Sequence, residues 1–126
     1  MKHLLLVALG GGIGAAGRHL VGLYMMRQFG TGFPYGTLTV NVLGSFIMGL
    51  LIAILSRMDG SFQNVRLLVA TGMLGGFTTF SSFSLDFATI WERGHMELAL
   101  GYMLITVVAS IGALFAALWL VRGLAG

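Results

Sequence analysis

The sequence predicts an all-α integral membrane protein of four transmembrane helices with a broken third helix, assembled as an antiparallel, dual-topology homodimer. Three observations lead there. Of the 126 residues, 57% are hydrophobic and only 9% charged, which leaves too little polar surface to cover a water-soluble globule. Four nearly uncharged runs each approach the roughly 20 residues that a helix needs to cross a bilayer. The polar residues inside those runs gather toward one side of the membrane. Residues 1–126 thus read as a single transmembrane domain, with a mean hydropathy of +0.95. The absence of cysteine removes disulfides, thiolate nucleophiles and cysteine metal sites. The seven Lys and Arg are scattered rather than clustered, so no nucleic acid partner is expected.

The first run, Leu4 to Met26, is interrupted only by Arg18 and His19. It begins like a signal peptide, after Lys2, but stays apolar beyond any cleavage-like small residue, and it reads as a retained span. Gly12-Ile-Gly14-Ala-Ala-Gly17 matches a dinucleotide fingerprint, which needs an acid about 20 residues on. The first acid is Asp59, so that reading fails. Gly10, Gly14 and Gly17 instead share one helical face, on which a neighbour can pack closely. Gly30-Thr31-Gly32 before Pro34 marks the turn.

On the second run, Pro34 to Ser56, Thr37, Asn41 and Ser45 recur every four residues and line one face. An asparagine amide carries donors that its own helix cannot satisfy. Asp59-Gly60-Ser61 is the next turn. The third run, Leu67 to Leu85, contains "GMLGGFTTFSSFS" from Gly72 to Ser84. The midpoint between its flanking Arg66 and Trp91 falls between residues 78 and 79, so Gly75-Gly76 and Thr78-Thr79 lie near the bilayer centre. That is a poor helix sequence, and a break there leaves carbonyls that protein, water or an ion must meet. Beyond it, Phe77, Phe80 and Phe83 alternate with Thr79, Ser81, Ser82 and Ser84. Ring edges are positive, so hydroxyls and phenylalanine edges together can strip water from a small anion without holding it too tightly to leave.

Arg93-Gly94 turns the chain into the fourth run, Leu98 to Val121. Tyr102, Thr106 and Ser110 form a second polar stripe, and Ala109, Ala113 and Ala117 a second small-residue face. Tyr24, Tyr35, Trp91 and Trp119 fall near run ends, as interfacial aromatics do.

The side holding both termini carries Lys2, Arg57, Arg66 and Arg122, against Arg27 and Arg93 on the other, with Arg18 inside the first span. Four against two is a weak bias, as expected of a chain that inserts both ways. Thr37, Asn41, Phe80 to Asp86, Tyr102 and Thr106 all lie in the half opposite the termini, and Arg18 leans the same way. One chain therefore lines half a pathway, and an inverted copy would line the rest.

Three segments carry a resemblance: "GAAGR" at 14–18, "GTLTVNVLGSFIMG" at 36–49 and "GMLGGFTTFSSFS" at 72–84. Over essentially its whole length the chain resembles the Fluc (CrcB) fluoride channels. The resemblance implies a dual-topology dimer in the inner (plasma) membrane with two fluoride pores. It implies Phe80 and Phe83 along the ion path, Asn41 as a pore donor, and a central structural sodium ion. That ion would be held by the backbone carbonyls of Gly75 and Thr78 from both subunits. Arg18, Ser81, Ser84, Tyr102, Thr106 and Ser110 complete the expected lining. Ser82 stands where threonine is common and Asp86 where glutamate is common, which bears on the vestibule.

A passive channel fits weak-acid chemistry. Neutral hydrogen fluoride crosses lipid and ionises in a more alkaline cytoplasm, and a negative-inside potential favours anion exit by about 2.3 kcal/mol per charge per 100 mV. A four-helix drug/proton antiporter is the rival reading, but it needs a buried carboxylate in the first helix, which has none. A non-conducting scaffold would leave the polar stripes unused. No catalytic constellation is evident: His3 and His95 flank the spans, and His19 suits packing or a vestibule.

Overall fold

The computed structural model describes residues 1–58 and 60–125. Four helical stretches are long and apolar enough to cross a membrane: Lys2–Phe29, Tyr35–Leu55, Gln63–Glu92 and Met96–Leu124. The first and second are single helices, α1 (Lys2–Phe29) and α2 (Tyr35–Leu55), and the last is α6 (Met96–Ala125). Gly30 ends α1 at a φ of 78°, a backbone that a side chain would strain, and its N–H closes on the Met26 carbonyl at 2.8 Å. Pro34 then precedes the first residue of α2. Of the second turn, Asp59 lies outside the described residues.

The third span is assembled from pieces, as its glycine and threonine pairs predict. A short α3 (Gln63–Val65) leads into a π-helical stretch, Arg66–Leu74, followed by α4 (Gly75–Phe77). Thr78 and Thr79 are then extended, with φ/ψ of −81/158° and −153/121°. The chain resumes as α5 (Phe80–Glu92), and Gly94 at φ 88° makes the turn into α6. The π winding was not expected: apolar side chains all round give no sign of whether N–H groups reach back four or five residues.

Both predicted small-residue faces are packed. Gly10 and Gly14 lie against the Leu68 and Met73 carbonyls, so close that a methyl group at either would collide with backbone. A Cβ on Gly72 would sit 2.9 Å from the Gly10 Cα. α1 thus lies backbone to backbone along the front half of the third span. α2 runs along α6, where Gly49 faces the Leu114 carbonyl and the fully buried Ala117. The outer surfaces carry exposed Leu4, Leu5, Leu9, Leu104 and Val108, suited to lipid.

Candidate functional site

The break at Thr78–Thr79 is held by side chains from two other helices. Asn41 on α2 pairs with the Thr79 peptide as a strand neighbour would: its Oδ1 accepts from the Thr79 N–H at 2.7 Å, and its Nδ2 donates to the Thr79 carbonyl at 3.0 Å. Arg18 on α1 donates from Nε to the Gly76 carbonyl at 3.1 Å. Thr79 Oγ1 caps α5 by accepting from the Ser82 N–H at 3.1 Å, and Thr78 Oγ1 donates to the Leu74 carbonyl at 3.0 Å. Each of these groups would otherwise cost several kcal/mol in a dry membrane interior. Among the described residues, no side chain donates to the Gly75 or Thr78 carbonyl.

Beside the break lies a cavity of about 390 Å³, lined by five of the nine residues expected along the path, Asn41 from α2, Phe80 and Phe83 from α5, and Thr106 and Ser110 from α6, together with Ser45 of the α2 polar stripe. Phe80 and Phe83 are edge to face, with centroids 5.4 Å apart. The hydroxyls of Thr106 and Ser110 are buried and have no protein partner. Serine and threonine in a helix can satisfy themselves on the carbonyl four residues back, and Ser84 and Thr89 do so, at 3.0 and 2.8 Å. Thr106 and Ser110 do not. Two polar groups are thus left unmet in the wall of the cavity.

Other expected residues fall elsewhere. Phe83 is 7% exposed but Phe80 is 76% exposed in the single chain. Ser81 and Ser84 lie on the exposed flank of α5, bonded only locally, and line none of the cavities described here. Tyr102 is fully buried behind Phe83, with ring centroids 5.2 Å apart, and its hydroxyl donates to Asp86 at 3.1 Å rather than into the cavity. Arg18 and Thr37 line a separate cavity of about 240 Å³ on the other flank of α5, together with His19, Thr79 and Ser82. Sequence reasoning undervalued Thr79. Its signal was there, a threonine directly before an apolar-periodic helix start, the N-cap position.

Comparisons with known proteins agree on one family. A family model described as "CrcB-like protein, Camphor Resistance (CrcB)" matches residues 5–118. A protein of Mesorhizobium japonicum named "Fluoride-specific ion channel FluC" is 58% identical over 124 residues, covering 98% of this chain and 99% of its own. Proteins of the same name from Chelativorans sp. and Agrobacterium fabrum are 57% and 50% identical over 124 residues, each covering 98% of this chain and 99% of its own. With nearly the whole chain matched, and the break and its bracing residues inside the matched region, the protein belongs to the CrcB family.

Proposed function

We propose that the chain forms a fluoride-selective passive channel that releases cytoplasmic fluoride across the inner (plasma) membrane. The observation that carries this reading is the cavity beside the break, which brings Asn41, the phenylalanine pair, and Thr106 and Ser110 with their unpartnered hydroxyls into one lining. The relatives named as fluoride-specific channels support the choice of ion. Fluoride is small and strongly hydrated, and it gives up water only where donors replace it. Hydroxyl and amide donors do so without a fixed charge that would trap the ion. The Phe80–Phe83 edge-to-face pair adds positive ring edges. No energy-coupling group is needed, since potential and pH difference drive efflux.

In this reading two chains pair in antiparallel orientation, which covers Phe80 and completes the lining that one chain leaves open. The Gly75 and Thr78 carbonyls suit a cation at the pair's centre: two per chain give four oxygens, a hard ligand set that matches sodium. When bound, the sodium would supply a positive charge holding these oxygens together across the axis. Gly75 leaves the approach clear, because it has no side chain and is exposed in the single chain.

Fluoride efflux from liposomes containing the purified protein, followed with a fluoride electrode, tests the proposal. Rapid efflux with little chloride release is expected. Replacing Phe83 by isoleucine should keep the protein assembled while sharply slowing efflux. Wild-type liposomes that retain fluoride would overturn the reading.

A further inference from the structure

Phe33 stands in the turn between α1 and α2, far along the chain from the phenylalanines of α5, yet its ring reaches the core behind them. The turn is built to hold it. Pro34 has φ/ψ of −79/66° and the Tyr35 N–H donates to the Phe33 carbonyl at 2.8 Å, an inverse γ-turn whose φ the proline ring fixes. The rings of Phe33 and Tyr35 lie 4.9 Å apart between centroids, and Tyr35 in turn meets Phe29 at the end of α1, at 5.1 Å. Tyr35 and Phe29 are exposed, at 40% and 60%. Phe33 is the ring of this turn that enters the core, half-buried against the cluster of Phe83, Ile90, Ala99 and Tyr102.

What it touches there is Tyr102. The two rings are edge to face, 86° between planes with centroids 5.4 Å apart, and Tyr102 then meets Phe83 at 5.2 Å, as Phe83 meets Phe80 at 5.4 Å. Rings thus run without a gap from the turn to the phenylalanine cavity. Tyr102 is fully buried and its hydroxyl is tied to Asp86 at 3.1 Å, which fixes one end of the ring and leaves its tilt to the rings on either side. Remove Phe33, and Tyr102 has a void to tilt into. Phe83 loses its backing at the same time, and the edge of an aromatic ring attracts an anion only when it is turned toward it.

We propose that Phe33 is a positioning residue for conduction: through Tyr102 it sets the tilt of the Phe83 ring, and so the edge which that ring offers to the ion. The inference rests on the channel reading for its cargo, fluoride, but the ring contact can be tested without fluoride.

Phe33→Leu keeps an apolar side chain and removes the ring. The variant is reconstituted so sparsely that most liposomes hold one channel or none, which separates two readouts of fluoride efflux. The fraction of trapped fluoride released counts the channels that fold and assemble, and the rate of release reports conduction by each. Expected is a rate about fivefold slower with an undiminished fraction, the order of one aromatic pair's worth in a barrier. Phe33→Tyr, which restores a ring, should recover the rate, and Phe29→Leu, which removes the outermost ring of the same turn, should leave it unaltered. In a Tyr102→Leu background, Phe33→Leu should slow efflux no further, because the contact through which it acts is already gone. A loss of released fraction alone, equal slowing by Phe29→Leu, or additive slowing in the double variant would overturn the proposal and make Phe33 a packing residue. If wild-type liposomes passed no fluoride, the channel reading would fail, and fluorine NMR of the full chain carrying para-fluorophenylalanine at position 83 would decide the contact. Phe33→Leu should shift that resonance and Phe29→Leu should not; a resonance that Phe33→Leu leaves in place would overturn the positioning role.

Discussion

Asn41 holds two positions at once. Its amide borders the phenylalanine cavity, and the same amide pairs with both polar groups of the Thr79 peptide. One N–H of the amide is thereby committed, which leaves a single hydrogen for the cavity. Asn41→Asp should accordingly abolish fluoride efflux for two reasons: a carboxylate set against the Thr79 carbonyl repels it, and the same charge repels the anion. Efflux at the wild-type rate in liposomes would remove Asn41 from both roles. Thr106 permits a cleaner separation of stability from conduction. Its hydroxyl is buried without a partner, a state that costs about 1–3 kcal/mol. Thr106→Val keeps the shape and removes the unmet group, so thermal stability in detergent should hold or rise while efflux falls. A destabilised variant with unchanged efflux would make Thr106 an ordinary packing residue.

The third span is the element on which sequence and structure are best compared. Its break was legible because two glycines and two threonines near the bilayer centre disfavour a helix by propensity alone, and the extended residues are Thr78 and Thr79. The glycine face of α1 was legible too, since Gly10 and Gly14 meet backbone that no larger residue could approach. What satisfies the break was not legible. An amide and a guanidinium announce their donors, but their acceptors, Thr79 and Gly76, lie 38 and 58 residues away in the chain. Ser81 and Ser84 lie, like Phe80, on the flank of α5 that the single chain leaves exposed, and alternation with phenylalanine cannot say which flank of a helix turns toward a neighbour. Gly75 supplies the test at this scale. A side chain there has room within its own chain, the nearest atom being the Ala70 carbonyl at 3.7 Å. Gly75→Leu should leave the monomer helical by circular dichroism yet prevent pairing in size-exclusion chromatography, because the crowding comes from the partner. Thr78→Ser, which keeps the carbonyl, should pair normally. Dimers of undiminished stability with Gly75→Leu would put the pairing surface elsewhere.

For the whole molecule the central expectation is inverted pairing, which rests on a weak charge bias and on a pathway lined in one half. Single cysteines near the N-terminus of the reconstituted channel should react with impermeant reagents from both sides of the membrane in comparable amounts. Labelling from one side alone would exclude the antiparallel dimer. The bracing of the break bears on a different matter, the order in which the chain is made. Arg18 and Asn41 leave the ribosome well before Gly76 and Thr79, and they lie on helices that need no partner for their own backbone. The third span, the one that among the described residues is interrupted by extended peptide groups, therefore enters a bilayer where the side chains that cover them already wait. Synthesised first, the same segment would have to cross lipid with those groups unmet, so its position as the third span is itself part of what lets it be broken.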